Sequence, residues 1–376
     1  MPGAPHLLHV FSTFVPAGPE MRTVRLIEAF GSEFRHSIVA MDGRTDARAH
    51  LPKGVDARIL DAPPKAGTIA TTRRLRALLK REKPDLLLSY NWGAFDAVLA
   101  ARSLFSRRIV HHEDGFNPDE AVRQLPRRVR ARRIVLPGVH AVVVPSRNLE
   151  RIAKDSWRLP ERVVRWIPNG IHAERFLPRD GRPALRDKLG IPREAPVVGF
   201  VGHLRPEKNP LRLLKACARI DPILGSHVLV LGEGVERPAM EALAAKTPTL
   251  FGRVHFAGFV PDPAEHYRAM DVFCISSDTE QMPVALLEAM GSGLPVVSTD
   301  VGDVRVILGE AQEPFVVPLE EHESAWPLAE KLTELLRDAD RRTVLGAGNR
   351  ARVQESYTFG SMLVAYRDVY RSALGA

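Results

Sequence analysis

The feature that most constrains the fold of this chain is a repeated alternation of short apolar runs with stretches of helical spacing. Strands are expected at Leu7–Phe14, His36–Met41, Asp85–Tyr90, Arg108–His112, Ala141–Val144 and Val163–Pro168. A second series is expected at Val197–Val201, Val228–Leu231, Val254–Ala257, Val272–Ile275 and Pro295–Ser298. Many of these runs are apolar at consecutive positions, the pattern of parallel strands covered on both faces. Glu20–Phe30 and Thr71–Lys83 carry helical spacing between strands. The alternation predicts an α/β fold built from doubly wound sheets. With 376 residues the chain has room for two such domains. The Pro-, Gly- and charge-rich stretch Phe176–Pro196 separates the two series and reads as a linker. Leu363, Tyr366, Val369 and Tyr370 fall at helical spacing in Tyr357–Leu374, which predicts a last helix packing back on the first domain. The expected division is therefore 1–180 together with 357–376, and 181–356.

Composition narrows the setting. Hydrophobic residues make up 45% and charged residues 26%, a globular balance. No apolar run reaches the roughly 18 residues that a spanning helix needs. The N-terminal MPGAPHLLHVFSTF reads as a first strand and not as a signal peptide. Two isolated cysteines, Cys217 and Cys274, support neither a disulfide framework nor a cysteine metal centre. The expected location is the cytoplasm, at most peripheral to the inner face of the membrane. Net charge is +8, unevenly spread: residues 1–170 carry 29 Lys/Arg against 17 Asp/Glu, and the remainder 24 against 28. A basic half suits an anionic partner such as a membrane surface, a nucleic acid or a phosphorylated substrate. Its densest stretch, RQLPRRVRARR, holds Arg123, Arg127, Arg128, Arg130, Arg132 and Arg133. Such a run is usually a solvated helix face. Its functional alternative is an anionic lipid surface. Without interleaved aromatic residues it does not read as a nucleic-acid site.

Open α/β sheets bind ligands beyond the carboxyl ends of their strands. The polar residues after each strand are therefore the candidates. In Gly202-His-Leu-Arg205-Pro-Glu-Lys208-Asn209-Pro210, Asn209 and Pro210 are a helix cap and a first helical residue. Arg205 and Lys208 then precede a helix N-terminus, a suitable place for a diphosphate. Glu280 and Glu288 flank Gln281-Met282-Pro283-Val284, with Pro283 opening a helix. Glu288 lies in apolar Ala285–Met290, where a carboxylate needs hydrogen-bond donors, and sugar hydroxyls are suitable ones. A glycosidase-type acid and nucleophile pair is the rival reading. His111 and His112 end a strand and precede Glu113-Asp114-Gly115. Neighbours on a strand face opposite sides, so one of the two is expected to face a ligand. Metal binding is the weaker reading there. Gly18, between Ala17 and Pro19, precedes a helix and allows close approach of a phosphate, although a glycine in such a place more often marks a tight turn.

Together these residues resemble the family 4 glycosyltransferases, retaining enzymes of the GT-B fold. The likeness is densest from Ile167 to Gly302. It rests on Pro168-Asn-Gly-Ile171, the Gly202–Lys208 turn, Leu231-Gly-Glu-Gly234, and Glu280 to Glu288 followed by Gly293-Leu-Pro-Val-Val297. The resemblance implies two Rossmann-like domains, mostly parallel in their sheets and facing across a cleft, with the C-terminal helix returning to the N-terminal domain. The first domain would bind the acceptor and the second the nucleotide-sugar donor. Arg205 and Lys208 would hold the donor diphosphate beside Gly202. Glu288 would bond the ribose. Glu280, with Gln281, Met282, Pro283 and Val284, would hold the sugar. Phe259 and Val260 would border the base. Gly18 would approach the phosphate, and His111 or His112 would lie near the reaction centre. Relative to the family pattern, Ala17 replaces a first-loop glycine and Gln281 follows the first glutamate. The implied activity is transfer from a UDP- or GDP-sugar to a saccharide or lipid-linked acceptor hydroxyl in cell-surface polysaccharide or glycolipid synthesis. No cofactor or metal is expected. A nucleotide-sugar epimerase or isomerase, or a non-catalytic nucleotide-sugar binding protein, are the alternatives.

Overall fold

The computed structural model describes residues 3–102, 104, 108–116, 120, 123–177, 182–319 and 325–375. The chain forms two compact units, Met1–Pro168 with Met362–Ala376, and Asn169–Ser361.

The first unit is built on seven parallel strands: β1 (His6–Phe11), β2 (Arg35–Ala40), β3 (Ala57–Leu60), β4 (Leu86–Tyr90), β5 (Ile109–His112), β6 (Ala141–Val144) and β7 (Val164–Trp166). Their order is β3-β2-β1-β4-β5-β6-β7. Its helices are α1 (Gly18–Phe30), α2 (Thr68–Glu82), α3 (Phe95–Arg102), α4 (Pro126–Val135) and α5 (Arg147–Asp155). Every residue of β1, β4, β5 and β6 is buried, the histidines and Ser89 included, which explains why these strands are mainly apolar and do not alternate. The expected strands are all present within a few residues. β3 is additional: it lies at the sheet edge and its Arg58 is exposed, so it lacks the apolar run that marks the others.

The second unit has six parallel strands: β8 (Val197–Val201), β9 (His227–Leu231), β10 (Val254–Gly258), β11 (Val272–Ile275), β12 (Val296–Thr299) and β13 (Val316–Val317). Their order is β10-β9-β8-β11-β12-β13. The helices are α6 (Arg182–Leu189), α7 (Pro210–Cys217), α8 (Arg237–Lys246), α9 (Ala264–Tyr267), α10 (Val284–Gly291), α11 (Val304–Leu308), α12 (Trp326–Arg337) and α13 (Ala339–Ser356). Leu213, Leu214, Leu328 and Leu332 cover one face of this sheet; Leu286, Leu287 and Met290 belong to a second core.

The stretch Phe176–Pro196 is more than a linker. It contains α6, whose Arg186 is buried and donates to the carbonyls of Ala269, Arg193 and Ala195 and to Asp271. The last helix, α14 (Phe359–Leu374), joins the first unit from Met362 onward. Tyr366 and Tyr370 are buried there, and Arg367 and Arg371 both bind Glu33. No helix among the described residues is long and apolar enough to cross a membrane.

Candidate active site

In the second unit the chain runs from β8 outward to β9 on one side, while β11 lies on the other. The loops after β8 and β11 therefore diverge from a topological switch point, where sheets of this kind bind ligands. The β8 loop begins at Gly202, whose N–H donates to the carbonyl of Leu231 at 3.0 Å. The loop after β9 lies directly against it. A Cβ on Gly232 would stand 1.9 Å from the Gly202 carbonyl, and one on Gly234 2.2 Å from that of Leu204. Both glycines have positive φ, so the Leu231-Gly-Glu-Gly234 motif is the condition for stacking these two loops.

Asn209 caps α7 as expected: its side-chain oxygen accepts from the Arg212 N–H at 3.2 Å, and Pro210 is the first helical residue. Just before it, Lys208 Nζ donates to Glu280 Oε1 at 2.5 Å. Ser277 Oγ donates to the same oxygen at 2.9 Å. Ser276 Oγ bonds the Lys208 carbonyl, and the Asp278 N–H bonds the Glu207 carbonyl. These bonds join the β8 and β11 loops, so residues 72 apart in sequence share one polar surface. Arg205 is about half exposed, with Nε 3.1 Å from Glu207 Oε1.

The segment from Glu280 to Pro283 is fixed from both ends. Asn169 Nδ2 donates to the Met282 carbonyl at 3.0 Å, and the Asp303 N–H to the Gln281 carbonyl at 3.0 Å. Gly302 has φ +53°, and a Cβ there would meet the Glu280 and Gln281 carbonyls at 2.5 and 2.6 Å. The Pro168-Asn-Gly motif and Gly302 thus hold the backbone that carries the first glutamate. Pro283 caps α10, Val284 opens it, and Glu288 lies in it, almost fully buried. Tyr267 Oη donates to Glu288 Oε2 at 2.9 Å. The two glutamates therefore differ in kind: one is held by a cation and a serine, the other by a phenol. After β10, Phe259 is exposed and Val260 packs partly on the core.

The expected residues of the first unit lie at its own strand ends. His111 and His112 point to opposite faces of β5, and both are buried. His111 Nδ1 is 2.8 Å from Ser89 Oγ, and Nε2 is 3.5 Å from Glu113. His112 Nε2 is 3.1 Å from the Tyr370 hydroxyl, and its ring stacks on Tyr90 at 4.4 Å. Burial, with the Arg22 charge adding to it, holds His112 well below its ordinary range, so it is neutral. Gly18 opens α1 with open space where a side chain would be, so sterics do not require glycine there.

The arginine run departs from its reading as a wholly exposed face. Arg123, Arg127, Arg130 and Arg133 are exposed. Arg128 and Arg132 are buried and cannot reach a lipid surface. Arg132 bonds Glu113 at 3.0 Å and Glu120 at 3.4 Å, while Arg128 bonds Glu120 at 2.8 Å. Their partners precede the run by several residues, and helical position decides which cations turn inward.

The sequence did not show the roles of three groups. Asn169, noted there only within Pro168-Asn-Gly-Ile171, and Tyr267 act through partners distant in sequence. Glu20, in the first turn of α1, is 7% exposed and its Oε2 has no hydrogen-bond partner. Burial raises its carboxyl to about 7. An acidic residue in a first helical turn ordinarily reads as dipole complementation, which concealed it.

Comparison with known proteins accounts for this arrangement. The family described as Glycosyltransferase Family 4 matches residues 16–175, and Glycosyl transferases group 1 matches residues 181–352. The chain belongs to the family 4 glycosyltransferases. A D-inositol 3-phosphate glycosyltransferase of Kineococcus radiotolerans is 32% identical over 57% of this chain and 53% of its own length. A GDP-mannose-dependent alpha-mannosyltransferase of Mycobacterium tuberculosis is 34% identical over 49% of this chain and 47% of its own. The chain spans about half the length of these two curated relatives. Anabaena HepE, solved in complex with UDP, superposes with a TM-score of 0.82 over 98% of this chain and 100% of its own, at 17% identity. The fold is GT-B, with two Rossmann-like units as the strand pattern predicts.

Proposed function

We propose that this chain transfers a glycosyl group from a nucleoside-diphosphate sugar to an acceptor hydroxyl, with retention of anomeric configuration and without a metal ion. The observation that carries this reading is the junction of Lys208 with Glu280 at the switch point of the second unit. An ammonium has three N–H donors, so Lys208 can hold Glu280 and still donate to a diphosphate. Arg205, beside the same turn, supplies a second cation, and the N-terminus of α7 adds its dipole. Loss of the nucleoside diphosphate builds negative charge on the leaving oxygens, and fixed cations stabilise it without reorganisation. Glu280 accepts from the sugar hydroxyls beside the backbone of Gln281, Met282, Pro283 and Val284. Glu288 accepts from the ribose, and Phe259 and Val260 border the base. The second unit is the donor-binding one, and the basic first unit takes a saccharide or lipid-linked acceptor, with Gly18 and His111 or His112 assigned to the reaction.

The donor class is supported by the UDP held by HepE and by the GDP-mannose dependence named for the mycobacterial relative. A cytoplasmic position is supported by the cysteine usage. Attachment to an anionic membrane surface would use Arg123, Arg127, Arg130 and Arg133, with exposed Ile134 beside them.

A thermal-shift panel of UDP-, GDP- and ADP-sugars identifies the donor, because a bound ligand stabilises by mass action. Donor turnover is then measured in Lys208→Ala, Glu280→Ala and Glu288→Ala. Lys208→Ala should lower kcat by about 10²–10³-fold, the cost of removing one preorganised donor to developing charge. Near wild-type turnover in all three variants refutes the reading. Appearance of a new nucleotide sugar without any acceptor would point instead to epimerisation.

A further inference from the structure

Glu288 is the single ionisable residue of α10, whose sequence is VALLEAMG. A carboxylate in such a helix is costly without hydrogen-bond donors. Tyr267 supplies one. Its hydroxyl lies 2.9 Å from Glu288 Oε2 and 3.3 Å from the Ala285 carbonyl. The phenol carries one proton, and the nearer, charged acceptor takes the stronger bond.

Tyr267 is itself immobile. It is fully buried, with its ring 5.9 Å from that of Phe176 and 5.8 Å from that of Phe273, in the core shared with Leu286, Leu287 and Met290. Burial, then the charge of Glu288, push the phenol well above its usual range, so it stays a donor. A rigid, permanently protonated group therefore sets the orientation of a carboxylate one element away.

We propose that Tyr267 is a positioning residue for ribose recognition: it fixes the Glu288 carboxylate so that this accepts from the vicinal hydroxyls of a ribonucleoside diphosphate. The inference rests on the reading in which Glu288 bonds the ribose. A carboxylate offers about four lone-pair sites, so a bond to Tyr267 leaves capacity for a diol. The bond from the phenol selects the rotamer, and the ribose then meets a group that needs no ordering on binding. The recognised class is the ribonucleotide, in preference to its deoxy analogue.

The test measures binding of UDP, GDP and their 2′-deoxy counterparts by calorimetry to the full chain and to Tyr267→Phe, Glu288→Gln and the double variant. Tyr267→Phe should weaken ribonucleotide binding about 5–10-fold, the scale of one ordinary hydrogen bond, because the lost bond acts on the ribose only through Glu288. Deoxynucleotide binding should move less than twofold, so the ribo/deoxy ratio falls. Donor KM should rise while kcat stays within twofold. The double variant should bind no more weakly than Glu288→Gln alone, the signature of two groups acting as one. Equal weakening of both nucleotide types, as from general loosening of the core, overturns the proposal. So does an unchanged ratio in Tyr267→Phe when Glu288→Gln lowers it. If Glu288→Gln leaves the ratio unchanged, the ribose assignment itself fails. Should Tyr267→Phe not fold, Glu288→Asp withdraws the carboxylate from the phenol while keeping its charge. It must lower the ratio likewise, and an unchanged ratio overturns the proposal.

Discussion

Arg132 is a buried cation of the first unit whose removal would strand a buried carboxylate. Its guanidinium is fully buried, bonded to Glu113 at 3.0 Å and to Glu120 at 3.4 and 3.5 Å. Its central carbon also lies 4.8 Å from the ring of Trp157 and 5.1 Å from that of Trp92. Arg132→Met keeps much of the volume but leaves Glu113 buried without its cation. Breaking a buried pair in this way costs about 3–5 kcal/mol. His111, 3.5 Å from Glu113, remains beside that carboxylate, which favours the lower figure. For a unit of this size the melting temperature should fall by roughly 6–20 °C. The assay is thermal unfolding at pH 7 by circular dichroism, with exposed Arg130→Met as a control that should stay within about 2 °C. Adding Glu113→Gln to Arg132→Met should restore much of the loss, because the amide needs no cation. The pH dependence gives a second check. Burial alone would raise the Glu113 carboxyl, but the charge of Arg132 and the bond from His111 outweigh it and hold the group below its ordinary value. A depressed folded pKa gives stability that is present above the unfolded value, about 4.3, and lost as pH falls through the folded one. The difference between wild type and Arg132→Met should therefore narrow towards pH 4. A loss under about 1 kcal/mol at pH 7, or a difference independent of pH, refutes the reasoning.

Two further predictions concern Gly302 and Glu20. Gly302→Ala places a Cβ 2.5 and 2.6 Å from the Glu280 and Gln281 carbonyls, closer than any ordinary contact, and at a strained φ. Donor kcat/KM should drop by about 10²-fold, the scale of an ångström displacement, while thermal unfolding moves by only a few degrees. Glu20 has a folded pKa of about 7, raised by burial above its ordinary value. Such an acid gives stability that is fully present below the unfolded pKa and declines as pH rises towards 7, by up to about 1.4 kcal/mol per pH unit. Glu20→Gln should flatten that decline and melt above wild type at pH 8 in differential scanning calorimetry. A parallel pair of pH curves would reject the burial argument.

The fold was legible because strands buried on both faces advertise themselves as mainly apolar runs without alternation. β3 and β13 did not, one being a half-exposed edge and the other only two residues long. α6 was hidden by its charge: with Arg186 turned inward onto backbone carbonyls and Asp187 and Lys188 exposed, a surface helix has the composition of a linker. At the site, Asn209-Pro210 showed its cap by local chemistry alone. The joining of Lys208 to Glu280, and of Tyr267 to Glu288, depends on which strands become neighbours, and no local pattern states that. The same limit explains the arginine run, where Glu113 and Glu120 select the two buried members.

The last helix also imposes an order of events on synthesis. The second unit is one uninterrupted stretch, 169–361, whereas the first is made of two pieces. When residue 168 leaves the ribosome, the surface formed by Phe30, Tyr90 and His112 still lacks Tyr366 and Tyr370. That aromatic face waits uncovered while the whole second unit is translated and folds. The unit translated later is thus the first that can be finished, and the one begun first is completed only by residues 362–376, which follow it. For the gene, the same connectivity makes the second unit a cassette with two junctions, exchangeable as a single segment without interrupting its own sheet.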